Sequence, residues 1–160
     1  MPRKERPNRN DGGGEQRERP VVDGFNSAAT QALLWTRDHL TESNRLYLEN
    51  LYLIYEEDPL LVVHSSPSAP DAWEYALTLR EAEDEMEYYP GGICVVGHSH
   101  HPFVVERAPG EPARLVRQDR LEIRQGAKYF INAGSVGQPR DGDPRACGLL
   151  YDAGDQSITR

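Results

Sequence analysis

Between Pro59 and His101 the chain reads PLLVVHSSP, then TLREAEDEMEYY, then GGICVVGHSHH. A short aliphatic run, a charged stretch with helical spacing and a second apolar run behind two glycines give a strand, helix, strand order. No other part of the sequence restricts the fold as tightly. Such a unit is joined by a right-handed crossover that leaves its two strands parallel. Thr78 and Glu81 form a capping box that opens the helix, and Leu79, Ala82, Met86 and Tyr89 are spaced to face inward. Parallel strands finish at one edge, where open α/β sheets bind their ligands. Each of these two strands finishes in histidine, His64 after the first and His98 after the second.

Three of the five histidines fall within residues 98 to 101. On an extended backbone His98 and His100 point to one face and Ser99 points away. With His64 arriving from the neighbouring strand end, three imidazoles form a nitrogen-rich set suited to a divalent metal. His101, next to His100, is expected at the rim. His39 stands alone beside Asp38 and reads as a surface residue.

The flanking sequence is less restrictive. Residues 1 to 20 hold three prolines, three consecutive glycines and no aliphatic side chain beyond Met1, so they read as a disordered tail. Residues 21 to 160 then form the folded portion. The stretch NSAATQALLWTRDHL places Ala29, Ala32, Leu33, Thr36 and Leu40 on one helical stripe, with Asn26 or Ser27 as N-cap. A second helix is expected from Thr41 with Leu46 and Leu51. After Pro102 the runs FVVER, ARLVR, RLEIR, KYFIN and CGLLYD, separated by turn residues, suggest an antiparallel β meander.

The formal net charge of -8 argues against a nucleic-acid-binding surface, because phosphate backbones reward clustered Lys and Arg. No apolar run reaches the roughly 18 to 20 residues of a membrane helix. The charged N-terminus lacks the apolar core of a secretory signal, so a cytoplasmic location is expected. Cys94 and Cys147 make no CxxC pair, and Cys94 reads as a buried thiol.

VVGHSHHP resembles the G-H-x-H motif of the calcineurin-like metallophosphoesterases. LLVVHSSP looks like that family's upstream histidine motif, and INAGSVGQPRDGDPRA is similar to its glycine-rich segment. The three motifs come in the family's order, and the resemblance runs from about residue 21 to the end. It implies an α/β fold, part of a four-layer α-β-β-α sandwich, with the βαβ unit followed by the meander. It implies that His64 and His98 bind one metal of a dinuclear pair and His100 the other, with Mn, Fe, Zn, Co or Ni as ions. The implied reaction is hydrolysis of a phosphoester substrate by water activated between the ions, as a phosphatase or phosphodiesterase, with no protein nucleophile. Ser135, in a tight glycine loop, and Arg140, by its charge, are expected to contact substrate together with His101.

The chain departs from the family pattern in several places. Ser65 stands where the family has glycine, and Ala133 where it has proline. The acidic motifs D-x-H, G-D-x-x-D and G-N-H-[DE] do not occur. The metal-ligating carboxylates and the histidine that protonates the leaving group are therefore not provided, and no catalytic residue is assigned. The expectation is the carboxyl-terminal portion of a metallophosphoesterase, inactive by itself and able to self-associate through an exposed sheet edge. The alternatives are a non-catalytic binding module keeping one histidine metal site, and a self-contained three-histidine zinc hydrolase.

Overall fold

The computed structural model describes residues 3–5 and 26–160, and the chain divides into two compact units, Arg6–Leu51 and the remainder. Within the first unit lie helices α1 (Ser27–His39) and α2 (Glu42–Glu49). Asn26 caps α1 by accepting from the Ala29 amide at 2.9 Å, and Thr41 caps α2 by accepting from the Asn44 amide at 3.2 Å, so both helices begin where their capping side chains dictate. No residue of either helix is buried. Of the segment 1–20, expected to be a disordered tail, only Arg3–Glu5 is described, and there the backbone forms edge strand β1. The rest lies outside the described residues.

The second unit is organised by a seven-stranded sheet. Its strands in chain order are β1, β2 (Ile54–Glu57), β3 (Leu60–Val63), β4 (Ile93–Val96), β5 (Phe103–Arg107), β6 (Arg114–Val116) and β8 (Lys128–Asn132), and they stand in the order β1-β2-β3-β4-β8-β5-β6. β3 and β4 are parallel, with Leu61 opposite Cys94. Between them runs α3 (Leu79–Glu85), continued by a single 3-10 turn over Met86–Tyr88. Its capping box is formed as the sequence requires, Thr78 accepting from the Glu81 amide and Glu81 from the Thr78 amide. Lys128 closes the other end by donating to the carbonyls of Met86 and Tyr89 at 2.7 and 2.9 Å.

Alternation along the strands builds two cores. Leu61, Val63, Cys94, Val96, Val105 and Phe130 point to one face and pack against Ala82, Met86 and Tyr89. Ile93, Val104, Tyr129 and Ile131 point to the other and meet Ile158, Leu121 and Tyr151. These last come from a small antiparallel sheet, β7 (Arg120–Glu122), β10 (Ser157–Thr159) and β9 (Leu150–Asp152), in that order. Helix, large sheet and small sheet thus form successive layers of an α/β fold. Cys94 is fully buried, and burial raises its thiol pKa. Glu106 is buried as well, held by Arg114 and by the Tyr129 hydroxyl at 2.8 Å.

Two expectations are corrected. The segment after Pro102 is not one meander, because β8 inserts between β4 and β5, parallel to β4 and antiparallel to β5. Four of its five residues are buried, and a strand covered on both faces carries no in-and-out alternation to distinguish it from an edge element. Leu79 does not face inward and is exposed, since it is the first residue of the helix and precedes the packed turn.

Phe130, at the centre of β8 and fully buried, joins both strand neighbours to α3. Phe130→Ala is expected to destabilise the second unit by about 3–5 kcal/mol in urea denaturation, and a loss below about 1 kcal/mol would show that β8 is not central.

Candidate metal centre

The carboxyl ends of β3, β4 and β8 lie side by side, and the histidines leave from the first two. Beyond the strands the parallel pairing continues for one more step, the Gly97 amide donating to the His64 carbonyl at 3.0 Å. The rings of His64 and His98 come to a centroid separation of 5.3 Å. The crossover brings two residues 34 positions apart to neighbouring strand ends.

The loop after β4 is not extended. His98 and His100 both have left-handed backbones, with φ of 58° and 61°. The expectation that both side chains point to one face of a strand is thus corrected: the chain turns at each histidine and buries Ser99 between them. Asn132, the last residue of β8, imposes this turn. Its buried side-chain amide donates to the Gly97 carbonyl at 2.6 Å and to Ser99 Oγ at 2.9 Å, while its Oδ1 accepts from the Gly134 amide at 2.9 Å. One side chain therefore joins the histidine loop to the glycine-rich loop. Sequence reasoning did not single out Asn132, although INAGSVG contains it and a strand-terminal amide before glycine is a familiar loop organiser.

The donor atoms follow from the hydrogen bonds. His98 Nε2 lies 2.8 Å from the Trp73 carbonyl oxygen. A carbonyl only accepts, so Nε2 carries the hydrogen and neutral His98 keeps its lone pair on Nδ1. His100 Nδ1 is buried without a hydrogen-bond partner. Burial, and then the charges of His98 and His100, hold the His64 pKa below the usual imidazole range, so His64 favours its neutral, ligating form. The Nδ1 of His98 left free by its Nε2 bond and the orphaned buried Nδ1 of His100 fit the nitrogen side of a divalent ion. Among the described residues no group of three or more His, Cys, Asp or Glu is placed to hold an ion.

The other expected site residues lie in the loops that follow β4 and β8. His101 is exposed, and its amide donates to Ser99 Oγ at 3.4 Å. Ser135 Oγ accepts from the Gln138 amide, and the Ser135 carbonyl accepts from the Cys147 amide at 2.9 Å. The Arg140 amide donates to the His100 carbonyl at 3.2 Å, which ties the two loops a second time and leaves the guanidinium exposed. Gly134 has φ of 78°, and a Cβ there would lie 2.8 Å from Cys147 Cβ, so only glycine fits. Ala133, found where the resemblance has proline, uses its amide to donate to the Val96 carbonyl at 2.8 Å. Ser65 Oγ donates to the Pro70 carbonyl at 3.0 Å.

The chain belongs to the calcineurin-like phosphoesterase superfamily, whose domain matches residues 14–155. It is 36% identical over 141 residues to the uncharacterized protein MJ0912 of Methanocaldococcus jannaschii, covering 86% of this chain and 56% of that protein. The crystal structure of a metallophosphoesterase from Sphaerobacter thermophilus superposes with a TM-score of 0.71 at 34% identity, covering 89% of this chain and 59% of that one. The chain thus spans somewhat over half the length of each.

Asn132→Ala should cost about 1–3 kcal/mol in chemical denaturation, because the Gly97 carbonyl and Gly134 amide lose a buried partner. It should also weaken divalent-ion uptake about tenfold or more, as loss of a ligand-orienting contact does. Unchanged stability and uptake would sink the assigned role. For pH, the unfolded chain protonates His64 before the folded one does, so the contribution of neutral His64 is complete above about pH 6.5 and is lost as pH falls through the lower folded value. The midpoint of thermal unfolding should fall less between pH 7.5 and 5 in His64→Gln than in the unaltered protein, and equal falls would contradict this.

Proposed function

We propose that this chain supplies the histidine side of a divalent metal centre that hydrolyses phosphoesters, as a phosphatase or phosphodiesterase. The observation that carries the reading is the meeting of His64 and His98 at one strand edge in a member of a phosphoesterase superfamily. His64 and His98 Nδ1 would hold one ion and His100 a second. The ion would supply polarisation of a phosphoryl oxygen and activation of water. Asn132 and the Trp73 carbonyl orient the imidazoles, and His101, Ser135 and Arg140 receive the substrate, the exposed Arg140 guanidinium being suited to phosphate oxygens.

Carboxylate ligands are needed to offset two divalent ions, and the family's three acidic motifs are missing from the sequence. On this reading the three histidines act together with acidic ligands supplied by another segment. A cytoplasmic setting is supported by two unpaired cysteines, Cys94 and Cys147. Self-association through the β6 edge is part of the same reading, since β6 ends the large sheet with Leu115 exposed.

The test is metal content and turnover. The 160-residue chain should bind at most one divalent ion, weakly, and should hydrolyse p-nitrophenyl phosphate or its bis-ester no faster than a His98→Ala control. Adding a segment that carries the three acidic motifs should give metal-dependent turnover, which His98→Ala then abolishes. Two tightly held ions per chain, or chelator-sensitive turnover by the 160 residues alone that is lost in His98→Ala, would show instead that this sequence completes its own site.

A further inference from the structure

The loop between His64 and Tyr75 makes two contacts with His98. The Trp73 carbonyl accepts from His98 Nε2 at 2.8 Å, and the Tyr75 ring stacks on one face of the imidazole at a centroid distance of 4.3 Å. The backbone at Trp73 is left-handed, with φ of 57°. A bulky residue keeps that conformation only where its surroundings hold it, so the aim of this carbonyl depends on what anchors the loop.

Inside the loop the bonds are local. Ser65 Oγ donates to the Pro70 carbonyl at 3.0 Å, and the Ala69 carbonyl accepts from Ser66 Oγ at 3.3 Å and from the Ala72 amide at 3.0 Å. Pro67 and Pro70 fix φ on both sides of Ser68 and Ala69, so few soft dihedrals separate Ser68 from Trp73. A shift at Ser68 is therefore passed on to the Trp73 carbonyl. The anchor to the helix is Glu85, the last residue of α3, whose Oε2 accepts from the Ser68 amide at 3.0 Å and whose Oε1 accepts from the Ser68 hydroxyl at 2.6 Å. Both carboxylate oxygens go to one loop residue. Helix stability does not call for a carboxylate here, because the carboxyl end of a helix favours cations. The contact with Ser68 accounts for it.

We propose that Glu85 is a positioning residue for His98. By holding Ser68 it sets the loop that presents the Trp73 carbonyl to Nε2, and so keeps the hydrogen on Nε2 and the Nδ1 lone pair free for a divalent ion. The inference rests on the metal-centre reading and adds to it a side chain on α3.

The test uses the full chain, first without metal. At about pH 8, where imidazole is neutral, nitrogen-15 NMR of the unaltered protein should show His98 as a single tautomer with its hydrogen on Nε2. Glu85→Ala should release the loop and leave both tautomers populated, and should weaken Zn²⁺ binding about tenfold or more in titration calorimetry. Glu85→Gln is the rescue: its carbonyl oxygen accepts from the Ser68 amide and its amide group donates to the hydroxyl, so tautomer and affinity should stay near those of the unaltered protein. Thr78→Ala, which removes the cap at the opposite end of α3, controls for lost helix stability and should change neither. A single Nε2 tautomer that survives Glu85→Ala, or one lost equally in Thr78→Ala, overturns the positioning role. Where Glu85→Ala does not fold, the same outcomes are read from Ser68→Ala, which removes the shorter of the two bonds. Undetectable Zn²⁺ uptake by the unaltered chain overturns the metal-centre reading instead, while the tautomer in the metal-free variants still decides the role of Glu85.

Discussion

The side-chain amide of Asn132 is the contact on which the arrangement of this edge depends. β8 brings it between the ends of β4 and the glycine-rich loop, and in that position it satisfies a carbonyl, a hydroxyl and a main-chain amide at once. A buried polar group with every bond made fixes one loop geometry, because any other leaves polar atoms unpaired in a dry environment. The parallel pairing of β4 and β8 is its precondition. That pairing is extended past the strand by the Ala133 amide on the Val96 carbonyl, and the position of His98 and His100 follows from it.

The same contact explains how the chain sustains its strained backbones. Besides glycines, the described residues with positive φ are Trp73, His98, His100 and Gln156, and the first three meet at the candidate centre. Each costs about 1–3 kcal/mol in isolation. The cost is offset by the bonds of Asn132, by the Arg140 amide on the His100 carbonyl, and by the His98 ring on the Trp73 carbonyl. Three of these four strained backbones thus lie at the candidate centre, and none lies within a strand.

Much of this was legible in the sequence, and the limits are physical. The βαβ unit could be read because apolar runs, a capping box and glycine boundaries are local signals, and the crossover rule then places His64 beside His98 without any long-range information. β2 (Ile54–Glu57) and the insertion of β8 could not be read in this way. β2 is half polar, and KYFIN is covered on both faces, so neither shows a clean alternation. The left-handed turns at His98 and His100 were hidden for another reason. A G-H-x-H spacing looks extended until the distant Asn132 is known to pull Gly97 and Ser99 inward. Trp73 and Tyr75 gave no signal, since a loop aromatic has no partner that spacing can name.

Charge decides what these residues can build together. Three neutral imidazoles beside two divalent ions leave roughly four positive charges without compensation, an arrangement that oxygen ligands normally relieve. The glycine-rich segment carries Asp141 and Asp143, and Asp119 lines the same cavity, but all three are engaged. Arg145 hydrogen-bonds Asp143 and holds its carboxyl pKa down to about 2, Asp141 accepts from the Asp143 amide at 3.1 Å, and Asp119 pairs with Arg160 at 3.1 Å. A ligand role for Asp143 or Asp119 would strip an arginine of its counter-charge in the same cavity, which Asp119, Asp141, Asp143, Arg145 and Arg160 line together. Within the described residues the electrostatics therefore favour keeping the Asp143–Arg145 and Asp119–Arg160 pairs intact over turning their carboxylates into ligands.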